Sequence, residues 1–66
     1  MNIRLNGEVR EVAESMTIAA LLAELDLVGQ RLAVEINGEI APRSRHASTA
    51  LKADDRVEIV QAIGGG

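Results

Sequence analysis

The sequence predicts an α+β fold in which a mixed sheet of four to five strands packs against one main helix. Apolar and polar residues alternate at 1–6 and 32–37, as they do in strands with one buried face, and 56–63 reads as a last strand with apolar residues on both faces. Between the first two segments, apolar residues recur at i, i+3, i+4 and i+7, the spacing of a helix packed on one side. In 66 residues without an internal repeat or linker, we expect a single domain over 1–66.

The dipeptide Asn6-Gly7 predicts a hairpin after the first strand, because Asn and Gly both adopt the positive φ of a tight turn. The turn leads into a more polar segment at 8–13, which suits the edge of a sheet. Val9 and Val12 fall on opposite faces of a regular strand there, so we allow for a bulge.

The helix is predicted to begin after Thr17, whose hydroxyl makes it a favoured N-cap. Its apolar stripe consists of Ile18, Leu21, Leu22 and Leu25. A helix of about two to three turns does not persist alone in water, so the stripe must pack on the sheet. We expect Gly29 to end or to follow the helix.

A second dipeptide, Asn37-Gly38, predicts a hairpin between the third strand and a short edge strand at 39–41. The following segment, 43–51, has no clear period and reads as a loop. We expect Ala47 and Leu51 to anchor this loop against the core.

The last strand, at 56–63, follows a turn at 52–55 and is the most apolar of the late segments. We place it in the centre of the sheet, beside the first strand. Val57 and Ile59 are predicted to face the helix, and Val60 to face the other side.

Composition narrows the classes of function. Without Cys and with a single His, the chain has neither a disulfide nor a zinc site, and without Phe, Tyr or Trp it offers no aromatic platform for bases. A net charge of −3 with scattered Lys and Arg disfavours nucleic acid and anionic membranes and favours a basic protein partner. No segment predicts a signal peptide or a membrane span, so we expect a cytoplasmic protein.

Catalytic and metal-binding side chains are not predicted. His46 lies near Ser44, Ser48 and Thr49 in the sequence, but an irregular loop in so small a domain offers no substrate pocket. The carboxylates of Asp54-Asp55 lack the further oxygen ligands of a metal site. The terminal glycines lack the helix and the lysine of a phosphate-binding loop, so we expect no bound cofactor.

Three consecutive glycines, Gly64, Gly65 and Gly66, follow the last strand almost directly. Glycine adds nothing to a core and loses the most entropy on ordering, so we expect a flexible and slender tail. Such a tail fits a narrow channel and presents its terminal carboxylate to an electrophile. Small residues at a chain end are also typical of a frayed terminus without function, so the glycines alone do not decide.

The order of elements and the glycine end resemble the ubiquitin-like sulfur carriers, which have the β-grasp fold. More narrowly, the chain is similar to the ThiS family of thiamine-biosynthesis sulfur carriers in VEINGEIAPR (34–43), ADDRVEIV (53–60) and AIGGG (62–66). The combination of Asn-Gly-Glu, Pro-Arg and the terminal glycines is fairly specific. The small subunit of molybdopterin synthase shares the fold and the tail but is usually longer, so that pathway is the alternative.

The resemblance implies that Gly66 is the modified residue. A ubiquitin-activating-like adenylyltransferase would use ATP to form an acyl adenylate on its carboxylate. A sulfur donor, such as a cysteine desulfurase, would then convert the adenylate into a thiocarboxylate for thiazole synthase. Gly65 and Gly64 would form the slender stem that these enzymes recognise, and ATP would bind to the partner rather than to this chain.

The resemblance also implies docking on the sheet face away from the helix. Val60, Ala62 and Ile63 would form a small exposed apolar patch there, flanked by Arg56 and Glu58. Alternatively, the Val60 side chain packs under a loop. Two other functions stay open: a ubiquitin-like modifier, which would use the same tail to form isopeptide bonds to lysines, and an adaptor β-grasp domain whose glycines are incidental.

Overall fold

The computed structural model describes residues 1–61, which form one mixed five-stranded sheet and one α-helix. The elements are β1 (Asn2–Leu5), β2 (Glu8–Glu11), α1 (Ile18–Glu24), β3 (Leu32–Ile36), β4 (Glu39–Ala41), a 3₁₀ turn (Arg43–Arg45) and β5 (Arg56–Gln61). The strand order is β2-β1-β5-β3-β4, with β5 parallel to β1 and antiparallel to β3. The predicted α+β fold, with the last strand in the centre and β2 and β4 at the edges, is confirmed.

The first hairpin is more regular than its sequence suggested. Its turn, Asn6-Gly7, has φ values of 49° and 86°, as a tight hairpin turn requires. All four residues of β2 pair in an unbroken register with β1, so this hairpin contains no bulge. Val9 is exposed and Val12 is buried, as the alternation predicted. A bulge is unnecessary because regular alternation already turns Val12 inward, where it exchanges two backbone hydrogen bonds with Met1 at 2.8 Å.

The start of α1 is stabilised by its own cap and by a distant loop. The Thr17 hydroxyl accepts a hydrogen bond at 3.1 Å from the third helical N–H, which confirms the predicted N-cap. The N–H of Ile18 donates to the Thr49 carbonyl at 3.0 Å, and the N–H of Ala19 donates to the His46 carbonyl at 2.9 Å. The loop therefore satisfies helical donors that would otherwise lack a partner.

The end of α1 is formed by a residue other than glycine. Asp26 adopts φ 60°, in the left-handed region, directly after the C-cap. Its N–H donates to the Ala23 carbonyl at 3.1 Å, and the N–H of Leu27 donates to the Leu22 carbonyl at 2.8 Å. This pair of bonds is a Schellman motif. Gly29, with φ 83°, follows the helix in a later turn.

The core between α1 and the sheet is wholly aliphatic. Its buried residues are Ile3, Val12, Ile18, Leu21, Leu22, Val34, Leu51 and Val57. The predicted helical stripe faces this core, although Leu25 is only half-buried at the C-cap. Ile59 is also half-buried against the core, so both predicted inward residues of β5 face the helix.

The loop after β4 is anchored differently from our prediction. Leu51 is buried as expected, but Ala47 is exposed and His46 takes its place in the interior, with 7% of its surface accessible. The His46 Nε2 lies 3.0 Å from the Ala41 carbonyl and donates to it. The prediction for Ala47 is wrong because a buried imidazole both fills space and satisfies its hydrogen bond, which a methyl group does not.

In the described part of the chain, no helix has the length and apolar composition needed to cross a bilayer. The cytoplasmic location and the single domain over 1–66 stay predictions.

Candidate functional site

β5 is the strand that leads into the glycine tail, and its two neighbours support it unequally. β3 pairs with it at five positions and reaches Leu32↔Gln61, the last described residue. β1 pairs with it at only two positions and ends at Leu5↔Val57. The second half of β5 therefore has a strand on one side only.

Two asparagine side chains add hydrogen bonds to β5. The Asn37 Oδ1 accepts from the N–H of Arg56 at 2.9 Å, while its Nδ2 donates to the Asp55 Oδ1 at 3.0 Å. The Asn6 Oδ1 accepts from the N–H of Ile59 at 2.9 Å. Because Asn6 follows β1 and Asn37 follows β3, the two hairpin turns hold β5 from both sides.

The sequence predicted both asparagines as turn residues but missed their contacts with β5. The signal for the turns is local, since Asn-Gly favours positive φ. No local pattern indicates that an amide will reach a strand 53 residues away in the sequence. These two residues are the main addition that the structure makes to the candidate site.

Val60 lies on the sheet face away from α1, with 57% of its surface exposed. It stands opposite Ala33 on β3, and Ile40 on the neighbouring edge strand β4 is 62% exposed. The alternative that Val60 packs under a loop is therefore wrong. Its role in docking stays a prediction.

The same face displays like charges in opposed pairs. Glu35 stands directly opposite Glu58, and Arg4 directly opposite Arg56. None of the four forms an ion pair with another residue of the described chain, 1–61. Like charges opposite each other destabilise a sheet, so a partner with complementary charges would relieve the repulsion. The glutamate pair is the one next to Val60, and the arginine pair of the same face carries the opposite charge, so a basic protein partner stays a prediction.

The remaining predicted site residues are Ala62, Ile63, Gly64, Gly65 and Gly66. All five lie outside the described residues. Modification of Gly66, recognition of Gly64 and Gly65, and docking through Ala62 and Ile63 therefore stay predictions.

The polar residues of the 43–51 loop hold that loop together. The hydroxyls of Ser48 and Thr49 both donate to the Arg45 carbonyl, at 3.3 Å and 2.8 Å. The His46 ring is bonded to Ala41, so it does not activate either hydroxyl in this geometry. Within residues 1–61, no group of three or more His, Asp or Glu side chains is placed to hold a metal.

Comparison with known proteins decides the family. Residues 3–66 match the model of the ThiS family. The chain belongs to the ThiS family. A solved structure of a thiamine biosynthesis protein (ThiS) from Geobacter metallireducens matches with a TM-score of 0.86 and 36% identity, covering 100% of both chains. The resemblance to ThiS-family sulfur carriers and the ubiquitin-like β-grasp fold are thereby confirmed.

Two curated relatives extend this comparison. A thiazole synthase from Paramagnetospirillum magneticum is 47% identical over all of this chain, which spans only 20% of that protein's length. The protein ycf40 of Porphyra purpurea is 36% identical, and the match covers 100% of this chain and 93% of ycf40. Sequences similar to this chain thus occur both as a short protein and as part of a much longer one.

Proposed function

We propose that this chain is a sulfur carrier of thiamine biosynthesis that transports sulfur as a thiocarboxylate on Gly66. The observation behind the proposal is the match to the ThiS family through residue 66, which includes the glycine tail. The relative named thiazole synthase supports thiazole formation, rather than molybdopterin synthesis, as the use of this sulfur.

The proposed chemistry activates a poor electrophile in two steps. On an adenylyltransferase, a carboxylate oxygen of Gly66 attacks the α-phosphorus of ATP, and pyrophosphate leaves. The outer sulfur of a donor persulfide then attacks the acyl carbon, and AMP leaves, which gives an acyl disulfide. A thiol attacks the donor-side sulfur of that S–S bond, which releases the thiocarboxylate and leaves the donor joined to the thiol as a disulfide. The resulting thiocarboxylate is a soft nucleophile that delivers sulfur to an acceptor on thiazole synthase. The chain acts as a co-substrate, and ATP binds to the partner.

The geometry of β5 supports this role. The strand that leads to the tail is central in the sheet, and Asn37 and Asn6 bond it at Arg56 and Ile59, so it is held in place as far as Ile59. A stem of Gly64 and Gly65 has no Cβ to obstruct a narrow channel. Positioning of a reacting group contributes strongly to catalysis. Here β5 would set the direction in which Gly64 and Gly65 carry the Gly66 carboxylate.

Docking completes the proposal. Val60, with its exposed neighbour Ala33 on β3, offers an apolar surface at the base of the tail, and Ala62 and Ile63 would extend it. An apolar centre with charged residues around it is the usual anatomy of a protein interface.

The test is the intact mass of the chain after incubation with ATP, an adenylyltransferase and a sulfur source. We expect a mass gain equal to replacement of one oxygen by sulfur. A chain lacking Gly66 is the control, and we expect it to gain nothing. Gly66→Ala should also fail to gain sulfur, because the added Cβ would obstruct the narrow channel beside the carboxylate.

Two results would contradict the proposal. A chain lacking Gly66 that gains sulfur normally would show that this residue is not the carrier. A ladder of conjugates joined to lysines, without a thiocarboxylate, would favour a ubiquitin-like modifier instead.

A further inference from the structure

The second half of β5 has an open edge on its β1 side. β1 turns away after Leu5, and beyond it the Asn6 side chain bonds only to the N–H of Ile59. Because backbone groups alternate along a strand, the Ile59 carbonyl and the Gln61 N–H point to this side, away from β3. No hydrogen bond from within residues 1–61 reaches these two groups on that side.

An apolar groove of about 260 Å³ lies directly beside this edge, between the sheet and the end of α1. Its lining residues are Leu5, Asn6, Leu25, Leu27, Ile59 and Gln61. The aliphatic members are all half-buried, so each leaves part of its side chain accessible. An unpaired strand edge next to such a groove is the arrangement used in β-strand addition, where main-chain bonds give affinity and side-chain pockets give specificity.

The length of the tail determines which molecule must come near this edge. Even fully extended, residues 62–66 span at most about 18 Å. An enzyme that takes sulfur from Gly66 in an enclosed site must therefore bring its own surface to the end of β5, beside Gln61. A second copy of this chain has no such requirement.

We infer that an extended segment of thiazole synthase adds to the edge of β5 at residues 59–61 and places an aliphatic side chain in the groove. This inference rests on the proposed function and names the partner's contact at the same site. The added strand bonds to the Ile59 carbonyl and the Gln61 N–H. It thereby sets the direction in which the tail enters the enzyme.

The main-chain contact is tested with Gln61→Pro, using Gln61→Ala as the matched control. Proline removes the N–H that faces the open edge and leaves the bonds to β3 in place. The alanine variant also loses the glutamine side chain but keeps the N–H. We expect Gln61→Pro to bind thiazole synthase about 3- to 10-fold more weakly than Gln61→Ala.

The groove is tested with Leu27→Ser, using Val28→Ser as the control. Leu27 lines the groove, whereas Val28 does not line it and is 71% exposed. We expect Leu27→Ser to weaken binding about 5-fold, while Val28→Ser binds as the unmodified chain does. Thermal unfolding of each variant confirms that it is folded at the temperature of the binding measurement.

Hydrogen exchange gives an independent measurement. We expect the Gln61 amide to exchange rapidly in the free chain and to become protected in the complex. Protection in the free chain, or no change on binding, would overturn the inference. Binding by Gln61→Pro as tight as by Gln61→Ala, or by Leu27→Ser as tight as by Val28→Ser, would overturn it as well.

These failures differ from a failure of the proposed function. If the unmodified chain neither gains sulfur nor binds thiazole synthase, the proposed function is wrong. If it gains sulfur and binds, but the variants bind as their controls do, only the docking edge is wrong.

Discussion

The two Asn-Gly turns share a sequence and a backbone conformation but support β5 to different degrees. Asn6-Gly7 has φ values of 49° and 86°, and Asn37-Gly38 has 52° and 86°. Asn37 makes two side-chain hydrogen bonds at the start of β5, where β3 also pairs with it. Asn6 makes one, at Ile59, where β1 has already ended. The start of β5 is therefore bonded by β1, β3 and Asn37. Beyond Val57, and within residues 1–61, the side of β5 that faces β1 has only the Asn6 amide.

The largest effect should come from Asn37→Ala. This change removes two side-chain hydrogen bonds and places alanine at a positive φ, which alanine adopts only with strain. We therefore expect a loss of about 2–3 kcal/mol in the free energy of unfolding. Urea denaturation measures it. Asn37→Gly, which accepts the backbone conformation, should lose about 1–2 kcal/mol. Equal losses for Asn37→Ala and Asn6→Ala would remove the difference between the turns.

Asn6→Ala should have a smaller effect on stability and a sharper local one. This change removes one side-chain hydrogen bond, to the Ile59 N–H, and a residue that favours positive φ. We therefore expect a loss of about 1.5–2 kcal/mol in the free energy of unfolding. Hydrogen exchange should accelerate at the Ile59 amide by about tenfold more than at Arg56. If both amides accelerate equally, Asn6 does not support the end of β5 specifically.

Asp26 is another residue with positive φ. It tests what such a residue contributes to stability when its side chain bonds to no distant part of the chain. Its side chain makes no hydrogen bond within the described chain, unlike those of Asn6 and Asn37. Asp26→Gly should therefore raise the free energy of unfolding by about 0.5 kcal/mol, because glycine adopts this conformation without strain. Thermal denaturation checks the sign, and Asp26→Ala is the control that should be destabilised. If Asp26→Gly is destabilised instead, the Asp26 side chain contributes to stability, and the contrast with Asn6 and Asn37 is wrong.

The smallest effect concerns Glu58, which lies on β5 between Arg56 and Ile59, the two residues bonded by the asparagines. Glu58→Gln removes the repulsion from Glu35 across the strands, so we expect about 0.2–0.5 kcal/mol of added stability at low salt. The gain should disappear in high salt, because both carboxylates face the solvent side of the sheet. Glu58→Ala is the control for side-chain size. A gain that persists in high salt would show that charge is not its cause.

Much of this protein was predictable because its signals act over a few residues. The N-cap at Thr17, the helical stripe and both Asn-Gly turns depend on neighbouring residues, and each occurs where the sequence placed it. The central position of the last strand followed from its apolar composition, and the family from short motifs together with the glycine tail. The exposure of Val60 followed from strand alternation.

Other features were decided only by the tertiary structure. The left-handed residue that ends α1 is Asp26 rather than Gly29, because the position at which the helix leaves the sheet determines which residue must turn. His46 rather than Ala47 anchors its loop, because its ring reaches the Ala41 carbonyl. The amide of Asn6 and the open edge beside Gln61 exist only because β1 ends before β5 does. Contacts between residues distant in the sequence depend on where strands stop, and no local pattern specifies that.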